Sequence, residues 1–329
     1  MEEITIVGAG GIGCAVGYAL QTGGMAVTFV ESNPEKVAWG NSHGVRVDRR
    51  SSQRAQFIPF AEWHPNAGAT ILLCTKCYDN ACVLERLPDT VTLIPIQNGF
   101  DPALGKSALA LEGIASFVSE CHPRQTDTRI TRAGKLHLGG HGNGTITHDR
   151  LKHELASLGE ALSQARLFKV ELVPDILPYK HTKLMYNAAI SPLAAAAGLH
   201  NGQLLSVPAA RRWFFDLLRE NYTILSEAGV TLGKVGPFHP HTVSRILSSR
   251  IISRMLSWAF YPSLRGTYCS MYADLPAGRT EIDYYNRYLI DLAGNRPCPA
   301  NRRIYELVKK MERERIPPGL HVLKELDGG

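Results

Sequence analysis

Short apolar runs alternate with helix-spaced patterns through the first half of the chain, and strand-like runs nearly vanish beyond residue 172. Residues 4–7 read as a strand and residues 14–20 as the helix that follows it. Residues 26–30, 69–74 and 91–96 are further strands, short apolar runs that close near polar residues, the first of them β-branched. Such alternation with short connections predicts a parallel sheet covered on both faces. Residues 134–147 are Gly-rich with short apolar alternation, which predicts antiparallel strands at the sheet's edge. Another strand ends near residues 168–172, where Pro174 and Pro178 punctuate the pattern. Beyond that point helices are predicted at 179–198, 209–228, 242–260, 279–292 and 301–315.

Composition narrows the possibilities. A chain of 329 residues, 44% hydrophobic and 20% charged, can bury a large core and fits two domains better than one. The formal charge of +6 comes from scattered Lys and Arg rather than a basic tract. It suits a small anionic substrate or cofactor and argues against nucleic acid. Seven cysteines, an odd number over a long chain, do not form a disulfide framework and point to a reducing, cytoplasmic setting. Glu2 and Glu3 lead straight into the first strand without a signal segment, and no apolar run reaches membrane-spanning length.

The first strand ends in Gly8-Ala9-Gly10-Gly11-Ile12-Gly13. Gly8 permits the tight turn, Gly10 lets backbone approach a pyrophosphate, and Gly13 lets helix and sheet pack closely. The phosphates then meet unpaired amides at a helix N-terminus. Strand before and helix after make this a dinucleotide site rather than an ordinary glycine turn. The fold class is therefore α/β: an N-terminal Rossmann dinucleotide-binding domain at 1–172, then a predominantly helical substrate and catalytic domain at 173–329. Glu31 closes the second strand, where a carboxylate can accept ribose hydroxyls and repel a 2′-phosphate, so NAD is expected ahead of NADP. Its alternative role is to cap the segment Ser32-Asn33-Pro34-Glu35. Thr75, Lys76, Gln97, Asn98 and Gly99 lie at the carboxyl ends of later strands, beside the expected nicotinamide.

Cys74 and Cys77 form one Cys-x-x-Cys pair, with no second pair to complete a zinc site. They read as packing thiols, and His181, His239 and His241 carry no ligand signature, so no metal is expected. Lys183, Asn187 and Ser191 recur at four-residue spacing within an apolar helix. An ammonium there can protonate a developing alkoxide while the amide orients a substrate. A solvated face with a snorkelling lysine accounts for the same spacing.

Several motifs in this order resemble the ketopantoate reductase family across nearly the whole chain. They are the glycine motif, Ile96-Gln97-Asn98-Gly99, the run from Lys183 to Leu193, and Thr280-Glu281-Ile282-Asp283-Tyr284-Tyr285-Asn286. The resemblance implies reduction of 2-dehydropantoate to pantoate, usually with NADPH, on a Rossmann domain joined to a helical one. It makes Lys183 the general acid and places Asn98 between cofactor and substrate. Asn187 then holds the substrate hydroxyl, Ser270 contacts the carboxylate, and Glu281 bonds to substrate or to Lys183. Glu281 also fits a helix-start capping role after Thr280. Three features depart from the family: Ser191 replaces a second substrate-binding asparagine, Glu31 replaces a basic or small residue, and the link from Ser270 to Thr280 is one residue shorter. Tyr268 and Tyr272 add aromatic bulk beside Ser270.

The expected protein is thus an NAD-preferring oxidoreductase of a small anionic 2-oxo or 2-hydroxy acid, with room for a homodimer on its second-domain helices. A reductive aminating dehydrogenase and a non-catalytic NAD-binding protein are the alternatives.

Overall fold

The computed structural model describes residues 3–105, 111–140, 148–247 and 266–327. Two compact units divide the chain, Met1–Leu177 and Pro178–Gly329.

The first unit is built on β1 (Glu3–Val7), helix α1 (Gly11–Thr22), β2 (Ala26–Glu31), helix α2 (Pro34–His43), β3 (Arg46–Val47), β4 (Gln56–Pro59), β5 (Thr70–Leu73), helix α3 (Asn80–Leu84) and β6 (Thr92–Pro95). Helix α4 (Pro102–Gly105) and strands β7 (Leu111–Ala115), β8 (Val118–Cys121), β9 (Asp127–Arg132) and β10 (Lys135–Gly140) follow. Helix α5 (His148–Gln164) and β11 (Lys169–Asp175) complete it. Five strands form a sheet in the order β4-β2-β1-β5-β6, with every neighbouring pair parallel.

Alternation along each strand sends neighbours to opposite faces. Ile6 and Leu72 enter one core with Leu20, Leu155 and Leu162 from helices α1 and α5. Val7, Ile71 and Leu73 enter another with Trp63, Val83 and Leu104. Phe29 and Phe57 stack with ring centroids 4.7 Å apart. Backbone approaches each ring closely, since a Cβ on Gly17 would lie 2.2 Å from the Phe29 ring and one on Gly40 would lie 2.5 Å from Phe57.

The edge strands expected at 134–147 take a different form. β10 is the middle strand of a separate three-stranded sheet, antiparallel to β7 but parallel to β11. The parallel pairing is possible because helix α5 supplies a crossover between the two strands; residues 141–147 lie outside the described residues. A third sheet, β3-β9-β8, has no counterpart in the apolar pattern, because its strands are short or polar.

The second unit is helical. It holds α6 (Leu177–Ala197), α7 (Gln203–Ser206), α8 (Pro208–Glu227) and α9 (Pro240–Leu247), then α10 (Tyr288–Ala293) and α11 (Pro299–Glu314). A π-helical turn, Asp283–Arg287, leads into α10. The helix expected at 279–292 therefore starts only after Glu281, since the Thr280 amide and hydroxyl are both held by the Glu312 carboxylate at 2.7 Å. The helix expected at 242–260 is described to Leu247, and its remainder lies outside the described residues. Among the described residues no helix is long and apolar enough to cross a membrane.

Truncation of Phe29 removes a fully buried ring from the stack. Phe29→Ala is expected to destabilise the nucleotide unit by about 3–5 kcal/mol, measured as a shift of its denaturant midpoint; a shift below about 1 kcal/mol would contradict this packing.

Candidate active site

The glycine motif does its work through distances. A Cβ on Gly8, whose φ is +99°, would lie 2.9 Å from the Cys74 carbonyl carbon and the Thr75 nitrogen, and one on Gly13 would lie 2.0 Å from the Gly8 carbonyl oxygen. Side chains are excluded at both positions by the protein itself. At Gly10 nothing lies within 4 Å of the same hypothetical atom. No side chain caps α1, and its first turn carries no acidic residue. Gly10 is thus small toward open space, and unpaired amides of Gly11, Ile12 and Gly13 face an approach that suits an anion.

Glu31 serves the turn that follows β2. Its Oε1 accepts the Ser32 and Asn33 amides at 2.8 and 3.0 Å, and its Oε2 accepts the Ala9 amide at 3.1 Å. The capping alternative raised by the sequence is therefore part of its role, while the helix cap proper is Asn33, whose side chain accepts from Glu35 and Lys36. Oε2 has the capacity for one more donor.

Lys36 was legible only as the first cation after Glu31. In the fold it is buried and donates to the Ala9 carbonyl at 3.0 Å. Cys14 and Cys121 place their Sγ atoms 3.2 and 3.7 Å from the same oxygen. A hydrogen bond from Cys14 holds the Cys121 thiol below its ordinary range; burial opposes this and the Lys36 charge adds to it. The same hydrogen bond, together with burial, raises Cys14.

At the ends of β5 and β6 a buried amide pair fixes the loops. Gln97 Nε2 donates to the Thr75 carbonyl at 2.8 Å, to the Thr75 hydroxyl at 3.0 Å and to Asn80 Oδ1 at 2.7 Å. Asn80 Nδ2 donates to Gln97 Oε1 at 3.0 Å and Asp101 at 2.8 Å. This network brings Thr75 and the Gln97-Asn98-Gly99 turn together, and sequence reading missed Asn80 because a buried amide leaves no periodic signal. Lys76 is half-buried at the cap of the short turn Cys77–Asp79. The Asn98 carbonyl accepts from the Cys77 thiol at 2.9 Å. Its side-chain Oδ1 is buried without a hydrogen-bond partner, an acceptor available to a ligand. Burial pushes the Cys74 thiol up to about 12, which matches a packing role. Among the described residues no group of His, Cys, Asp or Glu is gathered as a metal requires.

In the helical unit α6 carries Lys183, Asn187 and Ser191. Lys183 and Asn187 are half-buried and Ser191 is buried. The helix is pinned by Thr182, whose hydroxyl donates to the Gly233 carbonyl at 2.8 Å, and by His181, which pairs with the Tyr288 hydroxyl at 3.1 Å. The Asn187 side chain makes no hydrogen bond with the described residues. Burial raises the neighbouring Tyr186 phenol to about 12, so it stays neutral. Ser270 is exposed, and its neighbour Cys269 donates to the Ser191 carbonyl at 3.3 Å, tying this segment to α6. Glu281 is buried and accepts from the Tyr285 hydroxyl at 3.4 Å.

A parallel sheet ending in an open glycine cradle, followed by a helical unit, defines a dinucleotide-binding protein of the Rossmann class. The model of ketopantoate reductase PanE/ApbA matches residues 4–138, and that of its C-terminal region matches residues 175–312. The chain belongs to the ketopantoate reductase family. It is 24% identical to a 2-dehydropantoate 2-reductase of Aquifex aeolicus, over 94% of this chain and 97% of that one. It is 28% identical to that of Pyrobaculum aerophilum, over 75% and 78%. In fold it is similar to a D-mandelate dehydrogenase solved with NADH and anilino(oxo)acetate, with a TM-score of 0.74, 19% identity and coverage of 95% and 99%. A PanE/ApbA family ketopantoate reductase from Ralstonia eutropha gives 0.73, 21%, 95% and 99%.

The Lys36 charge is expected to add to the effect of Cys14 on the reactivity of Cys121. Lys36→Met should raise the pH midpoint for alkylation of Cys121 by iodoacetamide, followed by peptide mass; an unchanged midpoint would remove Lys36 from that role.

Proposed function

We propose that this protein is a nicotinamide-dependent oxidoreductase that interconverts a small anionic 2-oxo acid and its 2-hydroxy partner, with NAD(H) preferred to NADP(H). The observation that carries this reading is Lys183 on α6, one turn from an Asn187 amide that no described residue satisfies. The cradle at Gly10 fits a dinucleotide, because a side chain there would meet open space rather than protein.

A bound dinucleotide supplies the hydride to the substrate carbon, or accepts it. In reduction the Lys183 ammonium donates its proton to the carbonyl oxygen as charge grows there; in oxidation the neutral amine accepts that proton. Asn187 donates to the substrate hydroxyl, Ser191 offers one further hydroxyl, and Ser270 bonds the carboxylate. Glu281 bonds to substrate or to Lys183, and the free acceptor of Asn98 serves cofactor or substrate. Gly8, Gly10, Gly11, Ile12 and Gly13 hold the pyrophosphate, with Thr75 and Lys76 toward the nicotinamide. The names of the two bacterial and archaeal relatives support a substrate like 2-dehydropantoate.

Glu31 Oε2 accepts one ribose hydroxyl beside the Ala9 amide, which favours NAD. Arg124, not singled out in the sequence, meets Glu35 at 3.3 Å on the first turn of α2 and favours NADP as the second reading. Tyr268, exposed and 4.5 Å from Tyr272, flanks Ser270 and favours an aromatic 2-oxo acid, in keeping with the mandelate dehydrogenase likeness. Seven free cysteines support a reducing, cytoplasmic setting, and the helical unit is the candidate surface for a homodimer.

A panel of aliphatic and aromatic 2-oxo acids, assayed with both cofactors, tests the substrate class. NADH should give the higher kcat/KM, and Glu31→Ala should narrow the gap; a strong NADPH preference would overturn the Glu31 argument. Oxidation of NADH that depends on ammonia would identify a reductive amination instead.

Lys183→Ala should keep dinucleotide affinity while turnover falls by about 10²–10⁴-fold. Undiminished turnover would sink the assignment of Lys183.

A further inference from the structure

Helix α6 carries a proline in its interior, Pro192. Proline has no N–H, so the carbonyl four residues earlier, that of Ala188, loses its helical partner. Ala188 is fully buried, and an unsatisfied carbonyl there would be costly. Asn286, in the π-helical turn before α10, donates its Nδ2 to the Ala188 oxygen at 2.9 Å.

That bond is one end of a chain of buried amides. Asn286 Nδ2 also donates to Asn301 Oδ1 at 2.9 Å, and Asn301 Nδ2 donates to Asn221 Oδ1 and to Glu220 Oε1, each at 2.8 Å. Asn221 Nδ2 donates to the Met185 carbonyl at 2.9 Å. The two ends are backbone carbonyls, which only accept, so the orientation of every amide in between is determined. All three asparagines are fully buried, and Asn286 Oδ1 has no partner. A leucine would fill the volume without leaving that orphan. The requirement at this position is therefore a donor.

Met185 and Ala188 lie about 140–200° round the helix from Lys183, at 100° per residue. The amides grip the side of α6 opposite the Lys183 face. We propose that Asn286 is a positioning residue for the Lys183 helix: it replaces the N–H that Pro192 lacks and so fixes the turn on which Asn187 and Ser191 follow Lys183. Its effect on catalysis rests on the function proposed above; the bracing of α6 does not.

The test is a cycle of Asn286→Leu, Pro192→Ala and the double variant, read by steady-state kinetics and by hydrogen–deuterium exchange over residues 183–192. In the wild-type background Asn286→Leu should lower kcat by about 10- to 100-fold, leave dinucleotide affinity unchanged, and speed exchange over this segment. In the Pro192→Ala background the Ala188 carbonyl regains a backbone donor and only the bond to Asn301 is left to lose, so the same substitution should change kcat and exchange by less than about fivefold and by less than it does in the wild-type background. Equal losses in both backgrounds, or no loss in either, would overturn the proposal. If Asn286→Leu does not fold, recovery of a folded double variant supports the bracket, and failure of both refutes it. Absence of turnover in the wild-type protein would count against the proposed function alone, because segmental exchange still decides the bracing.

Discussion

The nucleotide unit depends on one approach of backbone to backbone, where Gly13 lies so close to the Gly8 carbonyl that a Cβ would sit 2.0 Å from its oxygen. That contact sets the first turn of α1 directly over the end of β1. Ala9, between the glycines, is then clamped at both of its polar groups: its amide donates to Glu31 and its carbonyl accepts from Lys36. A carboxylate and an ammonium from β2 and α2 thus hold the loop rather than each other. Their charges remain beside the place where a charged ligand is to be bound.

The helical unit solves a comparable problem by similar means. Pro192 breaks the hydrogen-bond ladder of α6, and an amide from a segment about 100 residues later mends it. Glu220 extends the arrangement by accepting the Ala300 and Asn301 amides at 2.9 and 2.7 Å, at the start of α11. Helices α6, α8 and α11 are joined through buried polar groups. Buried polar networks of this kind, whose bonds must be met in one geometry, restrict the packings that apolar contacts alone would permit.

Strands β1, β2, β5 and β6 were legible in the sequence because most of their residues are apolar and buried in the sheet. Strands β3, β8 and β9 were not, since β3 spans two residues and β8 and β9 carry exposed polar side chains. Spacing and context picked out Gly8 to Gly13, whereas spacing alone left the Lys183–Asn187 stripe open between a catalytic face and a solvated one. Asn80, Lys36 and Asn286 stayed hidden because each acts on a partner 17 to 98 residues away. A single asparagine within a helix has no pattern that separates a surface residue from a brace. The π-helical turn left no pattern either: its first residue, Asp283, accepts from Tyr305 and Lys309 at 2.8 and 2.9 Å, partners 22 and 26 residues away.

The bonds that Glu31 makes to its turn do not exclude the ribose role proposed for it, and they bear on the proposed cofactor choice. A carboxylate on a free side chain can rotate away from an approaching phosphate and so repel it weakly. Glu31 is held by the amides of Ala9, Ser32 and Asn33, and leaving them would strand those donors. Its charge is therefore fixed in place, and repulsion of a 2′-phosphate at about 4 Å would amount to about 1–4 kcal/mol between the dielectric of water and that of a protein surface. Arg124 can offset this only in part, because its guanidinium is exposed and already shared with Glu35. The hydrogen bonds that make Glu31 a structural residue also hold its carboxylate where the proposed discrimination against a 2′-phosphate requires it.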